Sequence, residues 1–294
     1  MRGDVEPGGP QVNCTMQVLS VFLGTVGVVL ALLGFARYAR SIAWVAVAKR
    51  PTELQLLVYG GGLIALTGVA VAWGGEASLV LPVGLAVLPV LLTPALFWLL
   101  GQRHIPLGEL QVRLGERLPD FEAQTDSGDV FRTETLAGQR VLLKFFRGEW
   151  CPFCSAELKA FQALLPDLER LGVRLIALSK DTPEAAARHR ARDGLTFTLL
   201  CDPELRVIRQ FGLEHRKALQ MAEGRRVTLM GMEVGTQPAF KSMAIPTTLL
   251  IDEQGVIRWI DQTDDYRVRS QPARVLTEIA LALKLSSSDG ISPK

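Results

Sequence analysis

Apolar residues are spread unevenly along the chain, and their spacing divides it in two. The first third holds three long stretches without a charge: Met16–Ala36 with 21 residues, Leu54–Trp73 with 20 and Ala77–Gln102 with 26. About 20 helical residues suffice to cross a hydrocarbon core roughly 30 Å thick. The pattern therefore predicts a membrane domain over 16–102 with three transmembrane helices at about 16–36, 54–73 and 78–101. The segment before it, 1–15, is rich in Gly and Pro and reads as loose. It carries Asp4 and Glu6 beside Arg2, so it lacks a basic leader, and the first span reads as an anchor rather than a cleaved signal peptide. Glycines such as Gly27 and Gly61 allow close helix approach in lipid, and Pro82, Pro89 and Pro94 predict a kink in the third span.

After a linker over 103–117 the pattern shortens and alternates, which predicts an α/β domain over 118–285 with a central sheet flanked by helices. Asp126-Ser-Gly-Asp129 is a hairpin signal between runs 121–124 and 130–132. Val141–Phe146 is an apolar run rich in strand formers, followed by a helix to about 171 in which Pro166 is expected to bend or split off the last turn. A second strand is expected at 173–179, then a helix over 183–193 capped by Asp181 or Thr182, a strand at 197–200, and a helix opened by Asp202-Pro203. Periodicity does not resolve 212–244, which carries Met221, Met230, Met232 and Met243. It is expected as an insertion covering one edge of the sheet, with a methionine-rich partner surface as the alternative. A hairpin over 247–260 and a helix over 271–285 close the domain, and the tail 286–294 reads as disordered.

Charge adds orientation. The first loop holds Arg37, Arg40, Lys49 and Arg50, the second holds no basic residue, and Arg103, Arg113 and Arg117 follow the third span. The positive-inside rule then places the C-terminal domain on the cytoplasmic face, with the extracytoplasmic or periplasmic face as the alternative. The predicted spans carry no charged side chain and no cysteine, so anchoring in membrane lipid is expected ahead of an ion or thiol relay, and a quinone site between the helices stays open. A net charge of +2 gives no field for nucleic acid. The cluster Arg188-His189-Arg190-Ala191-Arg192 has no interleaved aromatic residue, so no nucleic-acid partner is expected. Phosphate-binding glycine motifs are absent, and no cofactor is expected.

The chemistry concentrates at Arg147-Gly-Glu-Trp-Cys-Pro-Phe-Cys154, where the central strand passes into a helix. Pro152 suits the first helical turn. A thiol at that helix start lies near unpaired N–H groups and the positive dipole end, which makes Cys151 the candidate nucleophile. Cys154, one turn on, is spaced to close a disulfide with it. Arg147 is the candidate thiolate-stabilising charge, and Trp150 is expected to shield the pair. Half of a zinc site also uses this spacing, but no second pair accompanies it, and Cys14 and Cys201 stand alone. An inert buried pair is the other alternative.

The segment Phe145-Phe-Arg-Gly-Glu-Trp-Cys-Pro-Phe-Cys154 resembles the active site of the thioredoxin-fold redoxins. In particular it resembles the peroxiredoxin-like branch of the alkyl hydroperoxide reductase and thiol-specific antioxidant family. Ala177–Glu184, Leu199–Glu204 and Ile245–Asp252 look like later segments of that family, and the resemblance covers about 114–285. It implies a thioredoxin-like fold, an antioxidant oxidoreductase activity, a thiol electron donor such as a thioredoxin or glutathione system, and a protein disulfide or a hydroperoxide as substrate. It also implies a cis peptide before Pro246, placed against the cysteines. Two departures stand out. Where peroxiredoxins carry a proline and a threonine or serine before the peroxidatic cysteine, this chain has Lys144 and Gly148, and where they carry a pocket arginine it has Pro246. The resemblance with its departures implies a thiol–disulfide oxidoreductase, which the apolar spans would tether to a membrane, with a thiol peroxidase using Cys151 as peroxidatic and Cys154 as resolving residue as the alternative. A redox sensor or docking module without turnover is the third possibility.

Overall fold

The computed structural model describes residues 10–229 and 232–283. The tail 286–294 and the first nine residues of the expected loose segment lie outside that range. The chain forms two compact units, the first holding the residues up to Ser41 and Val47–Gln102, the second Ile42–Ala46 and the residues from Arg103.

In the first unit, helices α1 (Pro10–Ala43), α2 (Thr52–Gly74) and α3 (Val80–Gly101) are each long and apolar enough to cross a membrane. Helix α1 already begins at Pro10, so the stretch expected as loose to residue 15 is partly helical. Helices α1 and α2 meet backbone to backbone at Gly27 and Gly61. A Cβ at Gly27 would stand 2.5 Å from the Gly61 carbonyl, and one at Gly61 would stand 2.6 Å from the Gly27 carbonyl. Leu54, Val58, Leu96 and Leu100 form the buried contact between α2 and α3. Helix α3 runs through Pro89 and Pro94 without interruption.

The second unit is built on a seven-stranded mixed sheet in the order β2-β1-β5-β4-β3-β8-β9. Its strands are β1 (Glu122–Thr125), β2 (Val130–Arg132), β3 (Arg140–Phe145), β4 (Val173–Ser179), β5 (Thr198–Cys201), β8 (Thr247–Ile251) and β9 (Ile257–Gln262). Strands β3, β4 and β5 are parallel, joined through α4 (Pro152–Arg170) and α5 (Pro183–Asp193), whereas β8 and β9 run antiparallel beside β3. Helix α7 (Pro272–Ala282) packs against α4 and closes the chain in a thioredoxin-like arrangement. The near-continuous apolar run of β3 follows from its central place, because both faces are covered. Leu142 faces a core with Leu158, Phe161 and Leu168 of α4 and Val275 and Ile279 of α7. Val141, Leu143 and Phe145 face the other core, with Val207, Ile208 and Phe211 in and after the short helix α6 (Arg206–Gln210).

Several expectations are revised. Helix α4 is continuous through Pro166, since one lost i→i−4 bond is outweighed by burial of Leu164 and Leu168 on either side. Residues 103–117, expected as a linker, pair with the domain: Ile105 and Val112 are buried, the Ile105 N–H donates to Asp264 O at 2.9 Å, and the Leu118 N–H donates to Gly255 O at 2.8 Å. The segment that periodicity left open is a separate two-stranded sheet, β6 (Glu214–Leu229) and β7 (Met232–Ala244). Register shifts between His215 and Ala218, Gln220 and Glu223, and Glu223 and Arg226 explain why no period of two shows in its sequence.

Candidate active site

Strand β3 ends at Phe145, and the chain then turns through Phe146, Arg147 and Gly148 into α4. Gly148 has φ 147°, and a Cβ there would meet Asp181 Oδ1 at 2.7 Å. The turn thus requires glycine where the family resemblance would place a hydroxyl residue. Asp181, two residues past the end of β4, fixes the next peptide by accepting from the Glu149 N–H at 2.9 Å and is itself held by the Ser179 hydroxyl, which donates to it at 2.8 Å. Burial pushes its carboxyl up to about 6 against these hydrogen bonds.

Cys151 is the N-cap residue of α4, and Pro152 takes the first helical position. Both Cys151 and Cys154 are buried, at 1% and 0% exposure. The N–H groups of Cys154 and Ser155 donate to the carbonyl of Cys151, at 3.1 and 3.0 Å, and its side chain accepts no capping hydrogen bond. The helix start therefore does not deliver the N–H donors to the Cys151 sulfur that its position suggested. The two neighbouring thiols act on each other's ionisation instead. Burial and the neighbouring Cys154 raise the Cys151 thiol well above its ordinary value. Burial also opposes ionisation of Cys154, but the hydrogen bond from Cys151, the charge of Arg269 and the Arg147 backbone N–H outweigh it, drawing Cys154 down to about 6.

Arg147 is buried at 2% exposure. Its guanidinium lies 5.0 Å from the Trp150 ring and 4.0 Å from the Tyr266 ring, donates from Nη2 to Leu219 O at 2.6 Å, and meets Met243 Sδ through Nε at 2.9 Å. It ties the redox turn to the base of the β6–β7 hairpin, and its charge acts on Cys151. Trp150 is 8% exposed, packs in the same core as the two cysteines, and its indole N–H has no hydrogen-bond partner among the described residues. Pro246 is buried just ahead of β8, and its peptide bond is trans, not cis as the resemblance implied. It stands where an ordinary proline precedes a strand.

Arg269 and Glu157, which sequence reasoning did not single out, and Lys144, noted there only as standing in place of a proline, complete the site. Arg269, in the segment after β9, donates from Nε to Glu157 Oε2 at 2.8 Å and points Nη2 at Cys154 Sγ at 3.9 Å. Glu157 also holds Lys144 Nζ at 2.7 Å. The signals were a lysine inside the apolar run of β3 and a glutamate on the cysteine face of α4, between Cys154 and Leu158. Elsewhere, burial pushes Cys201 up to about 12, and Arg188, Arg190 and Arg192 are ion-paired with Glu149, Asp126 and Asp193.

Two buried thiols at a strand–helix junction, flanked by two buried guanidinium groups, define a thiol-dependent oxidoreductase. Residues 114–260 match the AhpC/TSA family, half of the chain, and the protein belongs to that family. It is similar to a putative peroxiredoxin of Coxiella burnetii, 29% identical over 150 residues, covering 50% of this chain and 87% of that one. It is also similar to peroxiredoxin Bcp of Escherichia coli, 29% identical over 107 residues, covering 36% of this chain and 69% of the relative. Among solved structures, peroxidoxin BcpB from Mycobacterium tuberculosis aligns with a TM-score of 0.45 at 20% identity, over 60% of this chain and 99% of that one.

Proposed function

We propose that this chain is a thiol peroxidase that reduces a hydroperoxide at the Cys151–Cys154 pair and is recycled by a thiol reductant of the thioredoxin or glutathione kind. The observation that carries the reading is the buried Cys151–Cys154 thiol pair at the start of α4, inside the segment matched to the AhpC/TSA family. Similarity to proteins named peroxiredoxins supports the peroxide substrate. Cys151 gives its proton up and attacks the outer peroxide oxygen. The O–O bond breaks, the alkoxide takes a proton and leaves as alcohol, and Cys151 becomes a sulfenic acid. Cys154 then attacks the sulfenic sulfur, the S–S bond forms, the S–O bond breaks, and hydroxide leaves to become water. The pair loses two electrons and the hydroperoxide gains them.

Dithiol–disulfide exchange with protein substrates is the second reading, favoured by Lys144, Gly148 and Pro246 standing where peroxiredoxins keep their peroxide-pocket residues. The purified full chain decides between them: rapid peroxide consumption, lost in Cys151→Ser, supports the peroxidase, whereas slow consumption with rapid reduction of protein disulfides would replace it. The three apolar helices and the basic first loop support a membrane anchor with the α/β unit on the cytoplasmic face. Release of the chain from membranes by alkaline carbonate would overturn the anchor.

A further inference from the structure

Beneath the cysteine pair lies a chain of buried charges that the peroxidase scheme does not by itself require. Lys144 of β3 and Glu157 of α4 are 2% and 4% exposed at their side chains, and Arg269 is 2% exposed. Lys144 Nζ also donates to Thr248 Oγ1 of β8 at 3.1 Å. Glu157 uses one oxygen for Lys144 and the other for Arg269, so its charge is matched twice. Arg269 is further fixed by donation from Nη1 to Val268 O at 3.0 Å, which leaves Nη2 aimed at Cys154 Sγ. Three side chains carry two positive charges and one negative, and the surplus positive charge lies on the sulfur side. A buried cation stays in place only where an anion matches it.

We propose that Arg269 is a positioning residue that holds the anionic charge of the reduced pair on Cys154, making Cys154 the base that takes the Cys151 proton as well as the sulfur that later resolves the sulfenic acid. The inference rests on the peroxidase reading and deepens it. The step balances: the Cys151 thiol gives its proton to the neighbouring Cys154 thiolate, Cys151 attacks as thiolate, and the departing alkoxide takes the proton back from Cys154. Cys154 is then a thiolate again when the sulfenic acid has formed. The charged groups facing the pair come from every side: Arg147 from the turn, Glu157 from α4 beside Cys154, Lys144 from β3 through Glu157, and Arg269 from the segment after β9. Of these, Arg269 is the only one whose charged nitrogen lies within hydrogen-bonding range of Cys154 Sγ among the described contacts.

The test is thiolate absorbance against pH in the reduced full chain, in a Cys14→Ser/Cys201→Ala background so that only the pair is read. The parent should show a first thiolate step near the value of about 6 for Cys154. Arg269→Gln should move that step toward an ordinary thiol near 8.5, lowering thiolate at about pH 6.5 by at least tenfold, and Arg269→Lys should retain part of the low step. Cys154→Ser should remove the low step, whereas Cys151→Ser should keep a step below the ordinary value. An unmoved first step in folded Arg269→Gln, or a low step that survives in Cys154→Ser, overturns the proposal. Should Arg269→Gln fail to fold, the two cysteine variants still decide where the charge sits. The titration does not depend on turnover, so a chain that consumes no peroxide yet titrates as expected rejects the peroxidase reading alone.

Discussion

Lys144 Nζ stands 2.7 Å from Glu157 Oε1, and the two side chains are 2% and 4% exposed, which puts an ion pair directly under the redox pair. Glu157 is the only carboxylate shown pairing with either Lys144 or Arg269 among the described residues. Removing it leaves Lys144 with only the Thr248 hydroxyl, and Arg269 with the Val268 carbonyl and the Cys154 sulfur. Glu157→Ala should therefore destabilise the α/β unit by about 3–5 kcal/mol, the usual cost of breaking a buried pair from one side. Urea unfolding followed by tryptophan fluorescence checks this, and a loss below about 1 kcal/mol would mean that water or another anion reaches the site.

Gly148 holds a backbone conformation that side chains rarely adopt, and a methyl there would press on Asp181 Oδ1. Gly148→Ala should cost about 1–3 kcal/mol in stability. It should also disturb the Asp181 hydrogen bond to the Glu149 N–H, two residues before Cys151. Unfolding midpoints and peroxide rates of the same variant test the two effects together, and unchanged values in both would contradict the turn geometry.

Asp181 gives a pH dependence with a definite sign. Its carboxyl is raised by burial to about 6 in the folded chain, against about 4 unfolded. Between those values the folded state binds more protons than the unfolded state. Its contribution to stability is thus full below about pH 4, falls as pH rises through about 6, and is flat above. Two pKa units correspond to roughly 3 kcal/mol at most. Asp181→Asn should remove this slope, so the stability difference between the variant and the parent should change sign or size across that window in urea titrations.

Arg147 is sandwiched between Trp150 and Tyr266 and donates to the Leu219 carbonyl of β6. Loss of a desolvated cation–π contact and a charged hydrogen bond amounts to about 2–4 kcal/mol. Arg147→Ala should show that loss, with faster hydrogen exchange in the β6–β7 stretch near Leu219 and Met243. Arg147→Lys should recover the charge on Cys151 but not the exchange protection, because the lysine lacks the planar fork.

The fold was legible where hydrophobic spacing is regular. The uncharged runs that became α1, α2 and α3, the apolar strand β3 and the Cys151–Cys154 helix start are all visible in the sequence, because burial imposes their composition. The β6–β7 hairpin was not legible, since its register shifts destroy the alternation that marks a strand. The electrostatics of the site were legible only in part. Arg147 lies beside the cysteines in sequence, but Arg269 is 115 residues from Cys154 and reaches it only through the packing of the segment after β9. Lys144 and Glu157 each broke an apolar pattern, and each proved to be the other's partner.

Peroxide titration of the fully reduced full chain, with intact mass and site-resolved peptide mapping, tests the central claim most directly. One equivalent of hydrogen peroxide should be consumed rapidly, with loss of two hydrogen atoms per chain and a Cys151–Cys154 disulfide, and Cys154→Ser should react more slowly and stop at a sulfenic acid on Cys151. Consumption no faster than that of a free thiol, or a sulfenic acid found on Cys154 in Cys151→Ser at the parent's rate, would contradict it.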